Sequence, residues 1–413
     1  MSLSANSLSP VTRADTPASP YAVTWSDPQR EAAFHAWLHA VTPAHGLLPG
    51  TLRPASADAS FRRYLRLDGA SAAGAAPSFI VMDAPPDKED CKPFAHVAGL
   101  MAAAGLPVPQ ILAWDVAHGF MLLSDLGAHT MMAVIQAETP PEYKTSLEAG
   151  FWPRPTPSAA VEAMYHQAID LLIAWQLASR PAVLPLYDSA LLQRELALFP
   201  DWYLARHRGI AIDDPAWKVQ RETLARAFAL IVQNNLAAPQ VYVHRDFMPR
   251  NLMVNTEATG ASGADARQAP VVALGVLDFQ DAVFGPVTYD IASLMRDAFL
   301  TWDESFVLDI TVRYWQKARR VGLLDHEGWS DNFGDFYRSV EWMGLQRHLK
   351  VAGIFARLSL RDGKPQYLAD TPRFIGYIRS TAARYHELKP LLRLIDTAEN
   401  ITPGVGYAFG RVA

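Results

Sequence analysis

His244-Arg245-Asp246-Phe247-Met248-Pro249-Arg250-Asn251 follows the short apolar run Val241 to Val243, and a second run, Val271 to Leu277, ends in Asp278-Phe279-Gln280-Asp281. Each segment reads as a strand that delivers an oxygen-bearing side chain at its end, where a stiff backbone can hold it. Asp246 stands where a carboxylate can accept the proton of an attacking hydroxyl, and Asn251, five residues on, can bring an amide oxygen back to the same place. Asp278 adds a carboxylate suited to a divalent cation. At average residue usage, the four fixed positions of His-Arg-Asp-x-x-x-x-Asn arise by chance in roughly one chain per thousand of this length. The competing reading, three unrelated cap and turn residues, requires all of them to fall in order beside strands by accident.

Such a set suits phosphoryl transfer, in which charge sits on oxygens and catalysis comes mainly from positioning and cations. His244 reads as a core histidine bonded to backbone and Arg245 as a loop-bracing or surface cation.

The bulk properties agree with a globular enzyme. At 413 residues the chain favours two or three domains, and half of it is hydrophobic, enough for sizeable cores. Lys plus Arg number 37 against 42 Asp plus Glu, a formal charge of -5 with no long basic run, which argues against a nucleic-acid surface. Cys91 is the single cysteine, so no intrachain disulfide can form and a reducing cytoplasm is the expected compartment. No stretch supplies the roughly 20 apolar residues a membrane span needs. Residues 1–25, rich in Ser, Ala, Thr and Pro, read as a flexible leader.

Along the chain, a helix from Ser26 to Leu38 precedes strands around 61–67 and 79–82. A helix from Cys91 to Gly105 and a hairpin over 110–126 turning at His118-Gly119 come next. From 128 the pattern is mainly helical: 158–178, 189–199, 215–234, 304–318, 335–360 and 371–392. The exceptions are strands at 241–243, 252–254 and 271–277, with 255–270 read as a surface hairpin insertion.

His244 to Asn251, Leu277 to Asp281 and Tyr289-Asp290-Ile291-Ala292 together resemble the aminoglycoside phosphotransferase and choline kinase superfamily, over roughly residues 50 to 385. The segments Asp58 to Tyr64, Val81 to Pro86 and Asp278 to Asp290 further resemble the bacterial anomeric N-acetylmuramate/N-acetylglucosamine kinases of cell-wall recycling. The resemblance implies an α/β, bilobal protein-kinase-like fold. A small β-rich N-lobe (26–127) would bind nucleotide, and a large, mainly helical C-lobe (128–400) would bind the acceptor. It implies ATP and Mg2+ as cofactors and a small-molecule amino sugar as substrate. Asp246 would be the catalytic base, Asn251 and Asp278 the magnesium ligands, and Asp290 a brace for the catalytic loop. Ser60, Phe61 and Arg62 fall where the family places its phosphate-covering hairpin, without its glycine pattern. Leu123 and Asp125 fall in the hinge whose backbone recognises adenine.

One departure is plain. The third strand carries Met82-Asp83 where the family pattern has a phosphate-binding lysine, leaving Lys88, Arg62 or Arg63 to replace it, or Asp83 to serve substrate or a metal-bound water. For the acceptor, Glu341 and Arg347 stand out as polar residues in an apolar helix, with Trp202, Tyr203, Trp342 and Gln346 as further candidates, although large aromatics at helical spacing more often belong to a core. Two further readings stay open: an aminoglycoside or other metabolite phosphotransferase, and a pseudokinase that binds nucleotide without transfer.

Overall fold

The structure, a computed structural model, describes residues 23–57, 61–71, 76–139, 157–255 and 273–402. It divides into two compact units, one made of the chain up to Lys92 with Gln110–Asp125, the other of Pro93–Pro109 with the chain from Leu126 onward. The expected leader (1–25), up to residue 22, and the expected insertion (255–270), from residue 256, lie outside the described residues.

The first unit opens with α1 (Pro28–His45). Asp27 accepts from the N–H groups of Gln29 and Arg30, Pro28 occupies the first turn, and Gly46 closes the helix in the left-handed region. A five-stranded antiparallel sheet follows: β1 (Leu47–Ala57), β2 (Arg63–Gly69), β3 (Ser78–Asp83), β4 (Ile111–Asp115) and β5 (Phe120–Ser124), in the order β1-β2-β3-β5-β4. Phe34 and Leu38, one turn apart on α1, pack on Leu65, Leu67, Val81, Phe120 and Leu122 from one face of this sheet. Each such side chain contributes on the order of 2 kcal/mol on burial. The turn expected at His118-Gly119 joins β4 to β5. Gly119 has φ 71°, and a Cβ there would lie 1.9 Å from the Ala84 carbonyl oxygen, so only glycine fits.

The second unit begins with α2 (Lys92–Ala103), which sequence reading assigned to the β-rich part. Its Phe94 ring stacks on Phe279 at 5.0 Å, and the Val276 N–H donates to the Pro107 carbonyl at 2.8 Å, so this segment shares the apolar core behind Asp278. Two small sheets hold the motifs. One joins β6 (His129–Thr130), β8 (Leu252–Asn255) and β9 (Ala273–Val276); the other pairs β7 (Gln240–Val243) with β10 (Val283–Pro286). Around them lie α3 (Met131–Glu138), α4 (Ala159–Leu177), α5 (Ser189–Leu198), α6 (Lys218–Leu236), α7 (Thr288–Met295), α8 (Glu304–Arg320), α9 (Phe333–Leu360), α10 (Thr371–Arg384) and α11 (Lys389–Ala398).

α1 runs past its expected end at Leu38 to His45, and two further helices differ from expectation, each at a proline. The predicted helix over 371–392 breaks at Tyr385, because Pro390 has no N–H to continue an α ladder. The helix predicted to stop at Phe199 instead runs on as a π-helix, Phe199–His207. Pro200 cannot donate to Leu196, and beyond it the ladder opens to wider bonds such as Arg208 N–H to Tyr203 C=O at 2.9 Å. Against this junction α9 comes so close that a Cβ on Gly353 would sit 2.3 Å from the Leu198 carbonyl oxygen. Among the described residues, no helix is long and apolar enough to cross a membrane.

Candidate active site

The loop from His244 to Asn251 leaves β7 and enters β8 through a short 3-10 turn, Pro249–Asn251. Its backbone is tied down at nearly every step. His244, fully buried, directs Nε2 at the Leu277 carbonyl (2.9 Å), while its Nδ1 accepts the Asp246 N–H (3.2 Å). Burial pushes this imidazole down to about 4, so it is neutral, with Nε2 carrying the proton and Nδ1 free to accept. Asp290 on α7 accepts the N–H of His244 (2.7 Å) and of Arg245 (3.0 Å). Burial raises the Asp290 carboxyl to about 7, against the opposing pull of those two N–H donors and of Arg347.

Arg245 adopts φ 78°, a region unfavourable to any side-chain-bearing residue, and Asp278 adopts φ 65°. Arg245 directly precedes Asp246, and Asp278 is itself a candidate cation ligand. The Arg245 carbonyl accepts from Arg347 Nη1 (2.6 Å) and Ser293 Oγ (3.1 Å). With its N–H and C=O thus committed, the chain turns and presents the Asp246 side chain. Among the described residues no group donates to that carboxylate, while the guanidinium groups of Arg245 and Arg347 and the ammonium of Lys350 act on it electrostatically.

Asn251 closes the site. Its Nδ2 donates to the Asp246 carbonyl (2.9 Å) and to Asp278 Oδ2 (3.1 Å), and Gln280 Nε2 donates to Asp278 Oδ1 (2.9 Å). With Nδ2 engaged twice, Oδ1 of Asn251 remains the acceptor end of the amide. An amide oxygen and a carboxylate held side by side, with no sulfur or imidazole among them, form a hard donor pair that fits Mg2+.

The structure brings His244, Asp246, Asn251, Asp278, Asp290 and Arg347 together. Glu341 goes elsewhere: its carboxylate, 3% exposed, is taken up by Arg384, Tyr385 and, at 3.4 Å, Arg296, in a separate ion-pair cluster between helices. Trp342 is core, Gln346 donates to Glu195, Tyr203 donates to Glu399, and Trp202 lies under the Arg206 guanidinium. Asp281 contributes only its carbonyl, 3.5 Å from Arg245 Nη1.

In the first unit, Ser60 lies outside the described residues. The Phe61 ring is exposed with Lys88 above it, while the Phe61 N–H and the Arg62 guanidinium both reach Glu89 (3.2 and 3.3 Å). Asp83 is no substrate group. Buried at the end of β3, it is held by Arg30 and by Arg63 (3.0 Å from Nε), which also removes Arg63 as a stand-in for the lysine. Leu123 is a buried β5 residue paired with Ile80 and Ile111. Asp125 spends its carboxylate on Arg66 (2.6 Å) and Ser78 (2.7 Å).

Sequence reading missed Glu195, Lys350, Ser293 and Gln280. Glu195 carried a signal: it shares a helical stripe with Leu192 and Leu196, both fully buried, and a charge on such a stripe must meet partners.

A model of the phosphotransferase enzyme family matches residues 51–324. The chain belongs to that family. A relative from Pseudomonas aeruginosa named N-acetylmuramate/N-acetylglucosamine kinase is 44% identical over 380 residues, 90% of this chain and 97% of its own length. A Pseudomonas putida protein of the same name is 42% identical over 371 residues, 90% of this chain and 94% of its own. A solved choline/ethanolamine kinase family protein from Mesorhizobium loti superposes with a TM-score of 0.51 at 14% identity, covering 89% of this chain and 99% of that one. That likeness is one of fold: this member of the phosphotransferase enzyme family has a β-rich unit and a mainly helical one, as a protein-kinase-like fold does.

Proposed function

We propose that this phosphotransferase moves the γ-phosphoryl group of ATP to the anomeric hydroxyl of N-acetylmuramate and N-acetylglucosamine. The carrying observation is the pair of hydrogen bonds donated by Asn251 Nδ2, to the Asp246 carbonyl at 2.9 Å and to Asp278 Oδ2 at 3.1 Å, which supports reading the three residues as one base and cation site. The names of the relatives at 44% and 42% identity favour the amino sugar as acceptor.

In this reading the Asp246 carboxylate accepts the proton of the attacking hydroxyl as its oxygen bonds to the γ-phosphorus and the bond to the β-phosphate oxygen breaks, releasing ADP. An anomeric hydroxyl is more acidic than an ordinary alcohol, so a carboxylate is base enough. His244, Asp290, Ser293 and Arg347 hold the backbone that aims Asp246. Asn251 Oδ1 and Asp278 would hold Mg2+, which when bound offsets charge on the phosphate oxygens. For the nucleotide, the proposed contacts are Phe61 and Arg62, which would exchange their bonds to Glu89 for phosphate oxygens, and the end of β5 from Leu123 to Asp125.

The test is ADP release with a panel of amino sugars, aminoglycosides and choline. Wild type should turn over N-acetylmuramate and N-acetylglucosamine, and Asp246→Asn should fall by a factor of about 100 or more. Preference for an aminoglycoside, or undiminished turnover by the variant, would overturn the proposal. A nucleotide-binding pseudokinase is the second reading, favoured by Met82 and the fully engaged Asp83, and it predicts no turnover of any acceptor.

A further inference from the structure

Glu195 lies on α5, 50 residues before Arg245 in sequence and outside every motif of the catalytic loop. Its carboxylate is 6% exposed and takes four bonds. Oε1 accepts from Arg245 Nη2 (2.6 Å) and Lys350 Nζ (2.8 Å), and Oε2 accepts from Tyr187 Oη (2.5 Å) and Gln346 Nε2 (3.0 Å). Burial opposes the charge, yet Lys350 and Arg245 outweigh it and hold the carboxyl down at about 2. The site is therefore built for a permanent anion.

The anion's position gives it a purpose. Arg245 sits at φ 78°, and such a conformation persists only where the surroundings over-determine it. Asp290 fixes its N–H, and Ser293 and Arg347 fix its C=O. Glu195 fixes the guanidinium end. The next residue is Asp246. Kinases switched on by modification supply a phosphoryl group to order a segment around an arginine. Here a carboxylate on a helix stands in that place at all times.

We propose that Glu195 is a positioning residue for phosphoryl transfer: a resident counter-charge that, through Arg245, locks the backbone presenting Asp246 and keeps the loop assembled without modification or activator. The proposal rests on the phosphotransferase reading above, and its test separates the two. Steady-state kinetics of Glu195→Gln, Glu195→Asp, Arg245→Met and the double variant Glu195→Gln/Arg245→Met are compared, alongside hydrogen exchange of the amides of 245 and 246.

For Glu195→Gln, kcat should fall by roughly 30-fold with both KM values within about twofold, because geometry at the base is lost while binding is kept. Glu195→Asp should recover most of that loss. The double variant should be no worse than the poorer single one, since both break one contact. The two amides should exchange at least about tenfold faster in Glu195→Gln while those of α8 hold their rate. Wild-type kcat in a folded Glu195→Gln, losses that multiply in the double variant, or exchange that quickens equally in α8 would each overturn the proposal. Should Glu195→Gln fail to fold, Glu195→Asp and Arg245→Met decide the matter by the same KM-against-kcat split. If wild type phosphorylates no sugar, the acceptor assignment fails, while the exchange measurement still decides the role of Glu195.

Discussion

Asn251 and Asp278 make different predictions because their atoms do different things. Asn251→Ala removes the link to the Asp246 carbonyl as well as the oxygen proposed to bind the cation, whereas Asp278→Asn keeps its size and removes a charge. Calorimetric titration of Mg2+ into the nucleotide complex should show affinity about tenfold weaker or worse for Asp278→Asn, on the order of 1.4 kcal/mol. An unchanged affinity would place the cation elsewhere. His348 offers a pH test. Its imidazole, 2% exposed, donates Nε2–H to the Arg296 carbonyl at 3.1 Å, and burial pushes it down to about 3. Between that value and its ordinary one near 6.5, the unfolded chain binds more protons than the folded one, so stability is lost as pH falls. Urea unfolding should show wild type losing about 2 kcal/mol more than His348→Gln between pH 6.5 and pH 4.5. Equal losses would mean that His348 titrates normally. Asp246, Asn251, Asp278 and Asp290 were legible beforehand because each stands in a contiguous motif. Glu195 and Lys350 were not, since they reach Arg245 from helices far along the chain and only folding makes them neighbours.

Among the elements, the strands were readable wherever β-branched runs ended at a motif, and the helices wherever apolar residues recurred at helical spacing. The π-helix was not readable. Its apolar pattern continues that of α5, and what changes is the hydrogen-bond register after Pro200, which composition does not display. The same junction yields a packing prediction. Because the nearest atoms to a Cβ on Gly353 are the backbone of Leu198, at 2.3 and 2.4 Å, Gly353→Ala cannot be relieved by a rotamer change and must separate the two helices. A loss of about 2–3 kcal/mol in denaturant unfolding is expected. Gly50, with open space around it, should accept Ala with a change under about 0.5 kcal/mol. In the first unit, Arg30→Ala leaves Asp83, 1% exposed, with Arg63 as its remaining partner, and should cost about 3 kcal/mol.

For the whole molecule, family membership and fold followed from the three segments around Asp246, Asp278 and Asp290 and a change from strand-rich to helix-rich patterning near residue 127. The exact division did not, because α2 has the sequence of a generic amphipathic helix and only its contact with Phe279 assigns it to the second unit. Binding of nucleotide should stabilise the chain as a unit. At a hundredfold excess over Kd, Mg2+ with a non-hydrolysable ATP analogue should add about 2.7 kcal/mol and raise Tm. Asp278→Asn should show a smaller rise, and equal rises would remove Asp278 from the cation site. The third strand has a practical corollary. β3 offers a thioether at Met82 and an acid clamped between two arginines at Asp83 but no amine, so a reagent that tags lysines would find nothing to acylate on this strand. Any label from such a reagent would have to fall on a lysine elsewhere, such as Lys88 beside the exposed Phe61 ring.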